Sequence, residues 1–373
     1  MNPGGTLWIA GTSLSIEDGG YVTYLARRAQ KLGIATRNIS VGDQTSVIGY
    51  MRVLGHGDEI KAGDFVLWEY SLLDALLTRS AFFADDVHSA RRQAWQFLLE
   101  CGASLIVLLA APRKYTTKRS ACEAKIARDA AVLGLPCIDT RDLCSALGIH
   151  DAHSHYRDDR HLRHDSPMVG AIVDAVVKQL KASIRPGQPT VNAWARKRIK
   201  ARWDWLSAAT LATSTHIPVQ TFRNSLLSVD ALVLGPDIAA PMPAADRIVG
   251  IGIVSTHDSG ALWCGHPGCL PVSTRLPAAL PYEFLLRTTG VPCRRRIGSI
   301  TSASGRTLSM QVWYDYGQEP DCSSGAVAVV GILIERETNR LTRFRTRFYF
   351  FRKRLHRYLR RFRTSKLTEG DRR

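Results

Sequence analysis

Apolar positions in the first half of the chain alternate between two spacings. Residues 7–10 (Leu-Trp-Ile-Ala) are an unbroken apolar run that stops at Gly11, which predicts a short buried strand. Residues 20–32 place Tyr21, Leu25 and Ala29 at helical spacing and lead to Gly33, a residue suited to end a helix. Residues 34–39 resemble a second strand and residues 64–69 a third. A helix is predicted over 86–100, with Ala90, Ala94, Phe97 and Leu98 on one side and Gly102 behind it. A fully apolar strand follows at 104–110, then a helix at 121–133 ending at Gly134, a short strand at 135–139, and a closing helix at 167–180. Strands separated by helices of ten or more residues pair in parallel, with helices on both faces. The pattern therefore predicts an α/β domain over residues 1–183, a three-layer parallel sheet.

The pattern changes after a Pro/Gly break at 184–189. Residues 194–206 interleave Arg196, Lys197, Arg198, Lys200 and Arg202 with Trp194, Ile199, Trp203 and Leu206. This reads as a basic helix within a linker spanning 184–210. From 211 to 338, short β-rich runs at 231–234, 248–254, 308–314 and 326–334 are separated by Gly, Pro and Ser clusters. They predict a smaller antiparallel, sandwich-like β domain. Residues 339–373 form a basic amphipathic helical tail.

Composition narrows the class. At 373 residues with 45% apolar content the chain is long enough for two or three domains. No run approaches 18 apolar residues, so no membrane span is expected. The N-terminus has no basic patch followed by a long apolar stretch, which argues against a secretory signal and for a cytoplasmic location. Cys101, Cys122, Cys137 and Cys144 sit in apolar or helix-like contexts and read as reduced core residues. Cys264 and Cys269, with Cys293 and Cys322 further on, lack a second tight pair, so free thiols are favoured over zinc. Of the net charge of +17, ten positive charges and no acid lie within 341–363. The basic character belongs largely to the tail.

Two segments carry candidate chemistry. The first strand runs into Gly11-Thr12-Ser13-Leu14-Ser15, and far along the chain comes Asp158-Asp159-Arg160-His161-Leu162. Alone, Ser13 reads as a turn serine or a helix N-cap. Together the segments supply a nucleophile, a carboxylate and an imidazole in the chain order Ser…Asp…His, the three side chains of serine acyl transfer. Asp-x-x-His lets the carboxylate accept from one ring nitrogen while the other faces the serine. Asp159 and His164 are the reserve carboxylate and base if the loop register differs. His153 and His155 invite a metal reading, but no second ligand cluster at helical spacing supports it, so neither metal nor cofactor is expected.

With these motifs placed, residues 5–182 resemble the SGNH (GDSL-type) hydrolase family. Residues 11–15 are similar to its first block, with Thr12 where Asp is usual. Residues 38–45 resemble the second block, residues 69–74 occupy the third, and residues 158–162 are similar to the fifth. The resemblance implies Ser13 as nucleophile, His161 as base and Asp158 as orienting acid, with Ser13 and Gly42 as backbone oxyanion donors. The family's asparagine falls on Leu73, which cannot donate a hydrogen bond. The loss of one such donor typically costs about 10²–10³ in turnover. Ser71 or an amide from elsewhere is a candidate substitute.

The expected function is a serine esterase or deacylase acting on acylated carbohydrate or a small ester. The same serine with a sugar acceptor gives an O-acyltransferase, and Leu73 leaves open a degenerate scaffold in a membrane-associated polysaccharide assembly. In the tail, Phe344, Phe348, Phe351, Leu355, Leu359 and Phe362 recur at helical spacing among the basic residues. Such a helix suits an anionic membrane surface or an acidic protein partner through residues 341–363. Nucleic acid is the less natural partner for a hydrolase domain.

Overall fold

The computed structural model describes residues 5–77, 84–183, 203–224, 227–236, 238–242, 247–264, 272–276, 283–289, 299–303, 308–309 and 325–335. The first half contains β1 (Thr6–Gly11), α1 (Ser13–Ile16), α2 (Tyr21–Gln30), β2 (Ala35–Asn38), α3 (Ser46–Gly55), β3 (Phe65–Glu69), α4 (Ser71–Leu77), α5 (Ala84–Glu100) and β4 (Ser104–Leu109). It continues through α6 (Ala121–Leu133), β5 (Cys137–Asp139), α7 (Thr140–Ala146) and α8 (Pro167–Ser183). The five strands form one parallel sheet in the order β2-β1-β3-β4-β5. Strand order reverses between β1 and β3. In open α/β sheets ligands bind at such a switch point, beyond the carboxyl ends of the strands.

Each predicted strand and helix of this half is present within a few residues. Local chemistry accounts for the limits. Ser120 and Glu123 form a reciprocal capping box at the start of α6, and Gly134 closes it at φ 67°. One layer of the core packs α2 and α8 against Leu7, Ile9, Leu67, Ile106 and Leu108. The opposite layer packs α3 and α5 against Trp8, Val66, Trp68, Leu105 and Val107. Cys122 and Cys264 are buried and Cys101 and Cys144 half-buried, whereas Cys137, expected in the core, is exposed.

The second half adds β6 (Trp203–Ser207), α9 (Ala208–Thr215), β7 (Val219–Arg223), β8 (Ser228–Leu234), β9 (Ala239–Pro241), β10 (Arg247–Ser255) and β11 (Ala261–Trp263). Beyond these lie β12 (Val272–Ser273), β13 (Leu285–Thr289), β14 (Ser299–Ala303), β15 (Leu308–Ser309) and β16 (Val327–Glu335). One sheet runs β13-β10-β16-β8-β7, with β6 paired beside β16, and the other β15-β12-β11-β14-β9. Leu232, Ile251, Ile253, Val329 and Ile332 of the first sheet share a core with Ala240, Leu262 and Ile300 of the second. The outer face of the first sheet is covered too. Val229, Val249, Val254, Leu286, Ala328 and Leu333 belong to the same core as α3 and α5. The two halves are joined there by polar contacts as well. The Trp203 amide donates to Gln93 Oε1 at 2.7 Å, and Tyr50 Oη donates to the Trp203 carbonyl at 3.2 Å.

This double burial corrects the reading of residues 203–206. They were expected to end a basic helix, but Trp203–Ser207 is a strand antiparallel to β16. Trp203 is buried, and Gly331 lets the strands close: a Cβ there would fall 2.4 Å from the Trp205 ring. The expected helix over 194–202, most of the 308–314 run, Cys269, Cys293, Cys322 and the tail lie outside the described residues, so the membrane and acidic-partner expectations do too. Among the described residues no helix is long and apolar enough to cross a membrane.

Candidate active site

Ser13 opens α1 immediately after β1, at the carboxyl end of the sheet. As the first helical residue its N–H has no intrahelical acceptor. The chain beyond β2 keeps pairing with β1: the Ile39 and Val41 amides donate to the Ile9 and Gly11 carbonyls at 2.8 and 3.0 Å. That extension brings Gly42 against the serine. A Cβ on Gly42 would sit 3.8 Å from Ser13 Cβ and 3.1 Å from Ile16 Cδ1.

The distant loop, between α7 and α8, docks on the segment that follows β4. Tyr156 Oη donates to the Ala111 carbonyl at 2.6 Å, and the Arg113 amide donates to the Asp159 carbonyl at 3.0 Å. A bridge between Tyr156 and Leu162 closes the loop's neck. Within it Asp158 Oδ1 accepts the amides of Arg160 and His161, both at 2.8 Å. His161 Nδ1 lies 2.7 Å from Asp158 Oδ2, and its Nε2 lies 2.8 Å from Ser13 Oγ. A carboxylate only accepts, so Nδ1 carries the ring proton and Nε2 is left to accept from the serine hydroxyl. Partial burial pushes the Asp158 carboxyl up, but the bonds from Arg160 and His161 outweigh it and hold it below its ordinary value.

Ser13, Gly42, Asp158 and His161 thus converge. The reserve residues do not join them. Asp159 is exposed and enters the loop contacts through its carbonyl. His164 lies over Gly19, with Nε2 3.4 Å from Glu17 Oε1. Leu73 is buried. Ser71 does not replace the missing asparagine: its hydroxyl donates to the Leu108 carbonyl at 3.1 Å and accepts the Ala110 amide at 3.0 Å. Among the described residues no group of three or more His, Cys, Asp or Glu side chains is placed to hold a metal.

Three supports were not singled out from the sequence. Asp43 takes a left-handed conformation (φ 58°), and its carboxylate pairs with Arg160 at 2.5 Å, joining the Gly42 loop to the Asp158–His161 loop. Beside it Gln44 donates to the Asp43 carbonyl at 2.8 Å. Gln44 Oε1 accepts both the amide and the hydroxyl of Thr288 on β13, each at 3.0 Å. The β domain therefore reaches the loop beside Ser13. The third support is a pair of buried carboxyls, Glu69 at the end of β3 and Asp74 on α4. Glu69 accepts from Thr12 and Ser15, and Asp74 accepts the Ser46 amide and hydroxyl at 2.8 and 2.5 Å. Burial pushes Glu69 up to about 7 and Asp74 to about 6. An acid closing an otherwise apolar central strand was the available signal for Glu69.

No family model and no curated protein matches the chain. Solved structures do. A two-domain esterase (CEX) active on acetylated mannans matches with 10% identity and a TM-score of 0.53, over 90% of this chain and 92% of that one. The same esterase co-crystallised with mannopentaose gives 9% identity and 0.51 over the same shares. A GDSL-like lipase from Bacteroides thetaiotaomicron covers 48% of this chain and 89% of its own at 12% identity, with a TM-score of 0.35. The chain thus shares its overall two-domain fold, a parallel α/β half and a β-rich half, with that esterase.

Proposed function

We propose that the chain is a serine esterase that removes acyl groups from carbohydrate through an acyl-enzyme on Ser13. The observation that carries this reading is the continuous line from Asp158 through His161 to Ser13 Oγ, at 2.7 and 2.8 Å. A serine hydroxyl is a weak nucleophile until a hydrogen-bonded base removes its proton during attack. His161 Nε2 takes that proton as Oγ adds to the ester carbonyl. Asp158 steadies the imidazolium through Nδ1. The amides of Ser13 and Gly42 face the developing oxyanion. His161 then returns the proton to the departing sugar oxygen, leaving an acyl ester on Ser13, and water repeats the cycle.

The shared two-domain fold supports this reading, and the acetylated mannans of that esterase suggest the substrate class. The roles of Ser13, Asp158, His161 and Gly42 rest on geometry. The test is hydrolysis of a chromogenic acetyl ester, with fluorophosphonate labelling and peptide mapping. Labelling at Ser13, and turnover lost in Ser13→Ala, is the expected result. Leu73 favours a second reading, a degenerate scaffold without turnover. Wild type and Ser13→Ala equally inert toward ester and fluorophosphonate would establish it.

A further inference from the structure

The turn carrying Ser13 is built around a buried acid. Glu69 ends β3 directly opposite Gly11 in the parallel register and is fully buried. Its Oε2 accepts the Thr12 amide at 2.9 Å, the Thr12 hydroxyl at 3.0 Å and the Ser15 hydroxyl at 2.9 Å. Ser15 Oγ also bonds Tyr21 Oη at 2.7 Å, linking the cluster to α2. The bonds therefore bracket Ser13, gripping the residue before it and the residue two beyond. Gly11 makes the approach possible: a Cβ there would fall 2.7 Å from Glu69 Oε2 and 2.3 Å from Ser15 Oγ.

We propose that Glu69 is the positioning residue of the nucleophile, fixing the Thr12–Ser15 turn so that Ser13 Oγ meets His161 Nε2. The inference rests on the esterase reading and deepens it. Glu69 touches neither Ser13 Oγ nor His161 in this arrangement and acts through the backbone of Thr12 and the side chain of Ser15. A buried carboxyl with a hydrophobic alternative of similar volume is costly to keep. Four atoms of the cluster (Thr12 N, Thr12 Oγ1, Ser15 Oγ and Glu69 Oε2) must agree in place for the turn to close. Alignment of a reacting group is where small displacements matter, since about 1 Å of misplacement can cost on the order of 10²-fold in rate.

The test uses the full chain and follows the second-order rate of fluorophosphonate labelling at Ser13, kcat and KM for an acetyl ester, and thermal unfolding. Glu69→Gln can keep all three bonds on its single amide oxygen and serves as the conservative control; Glu69→Leu removes their acceptor. The expected result for Glu69→Leu is labelling and kcat each lowered by about 10- to 100-fold with KM within about twofold. A purely structural role would lower the unfolding temperature and leave the labelling rate of the folded protein unchanged, and that result overturns the inference. If Glu69→Leu does not fold, Thr12→Val and Ser15→Ala remove donors to Glu69 singly. Slower labelling in both, with Thr12→Ser restoring the wild-type rate, supports the inference, and wild-type labelling in both overturns it. Wild-type protein that never labels at Ser13 overturns the esterase reading, and this inference with it. Labelling of wild type and Glu69→Leu at equal rates overturns this inference alone.

Discussion

The two sides of the site hold their side chains by opposite means. On the nucleophile side, the turn bearing Ser13 is seated on the fully buried Glu69, whose carboxyl desolvation pushes up to about 7. On the acid–base side, Asp158 leaves 47% of its side chain exposed, and its carboxyl lies below its ordinary value. Both acids accept hydrogen bonds from backbone and side-chain donors. What separates them is solvent. At Asp158 water and three donors stabilise the charge, whereas at Glu69 the removal of water outweighs its donors. In the proposed mechanism, the group that stays ionised to steady an imidazolium lies where the loop meets solvent. A group that organises a turn is found inside.

The largest expected effect breaks the acid–base side alone. Asp158→Asn leaves an acceptor and a donor where the His161 ring needs a carboxylate, so the ring can present the wrong tautomer to Ser13. In a related arrangement such a change costs about 10⁴ in turnover. The expected loss here is on the order of 10²–10⁴ in kcat with little change in the unfolding temperature, because the loop keeps its anchors at Ala111 and Arg113. Steady-state kinetics with calorimetry checks it. Loss of fold with loss of activity would mean that the loop, like the Ser13 turn, depends on its carboxyl for structure.

A smaller effect tests the connection between the sides. Thr288→Val removes the hydroxyl that bonds Gln44, and Gln44→Leu removes both bonds from β13. The Gly42 loop then keeps Arg160 on Asp43 as its brace. A drop of about tenfold in kcat for Gln44→Leu, and less for Thr288→Val, is expected from partial misplacement of an oxyanion donor. KM and kcat measured on an acetyl ester separate this from a binding role. A rise in KM alone would assign the β domain to substrate binding only.

The sequence displayed the two sides unequally. Asp158-x-x-His161 is a local spacing, and Ser13 follows a strand that hydrophobic patterning marks, so both were legible. Glu69 and Gln44 reach Thr12, Ser15 and Thr288, all distant in the chain, and local sequence offers only an acid at the end of an apolar strand. The same holds for the fold. α2, α5, α6 and α8 each have one polar face and were readable by their period. α3 is buried nearly all round, between the parallel sheet and the β domain, and so lacks the alternation that announces a helix. Trp203 and Leu206 stand at helical spacing, which predicts a helix where β6 lies. Tertiary pairing with β16 decided the outcome.

The smallest effect is on stability, and it distinguishes the two kinds of acid by sign. Glu69 is raised from an ordinary 4.5 to about 7, and Asp74 from 3.8 to about 6, both by burial. Between those values the folded protein binds more protons than the unfolded chain, so stability falls as pH rises from about 4 to about 7. Asp158 works in the other direction. Its lowered carboxyl contributes stability above its ordinary 3.8 that is lost as pH falls through its folded value. Calorimetry across pH 4–8 should therefore show these two carboxyls pulling the unfolding temperature down toward neutrality, against His56, whose imidazole burial holds below its ordinary value and which pulls it up. Glu69→Gln, neutral throughout, should remove the part of that downward pull nearest pH 7. Asp74→Asn should remove the part nearer pH 5, and Asp158→Asn should leave the slope above pH 5 as it is. A Glu69→Gln variant whose unfolding temperature keeps the wild-type slope from pH 4 to 7 would mean that the Thr12 and Ser15 donors offset desolvation at Glu69, and that the two sides of the site hold their acids in the same way.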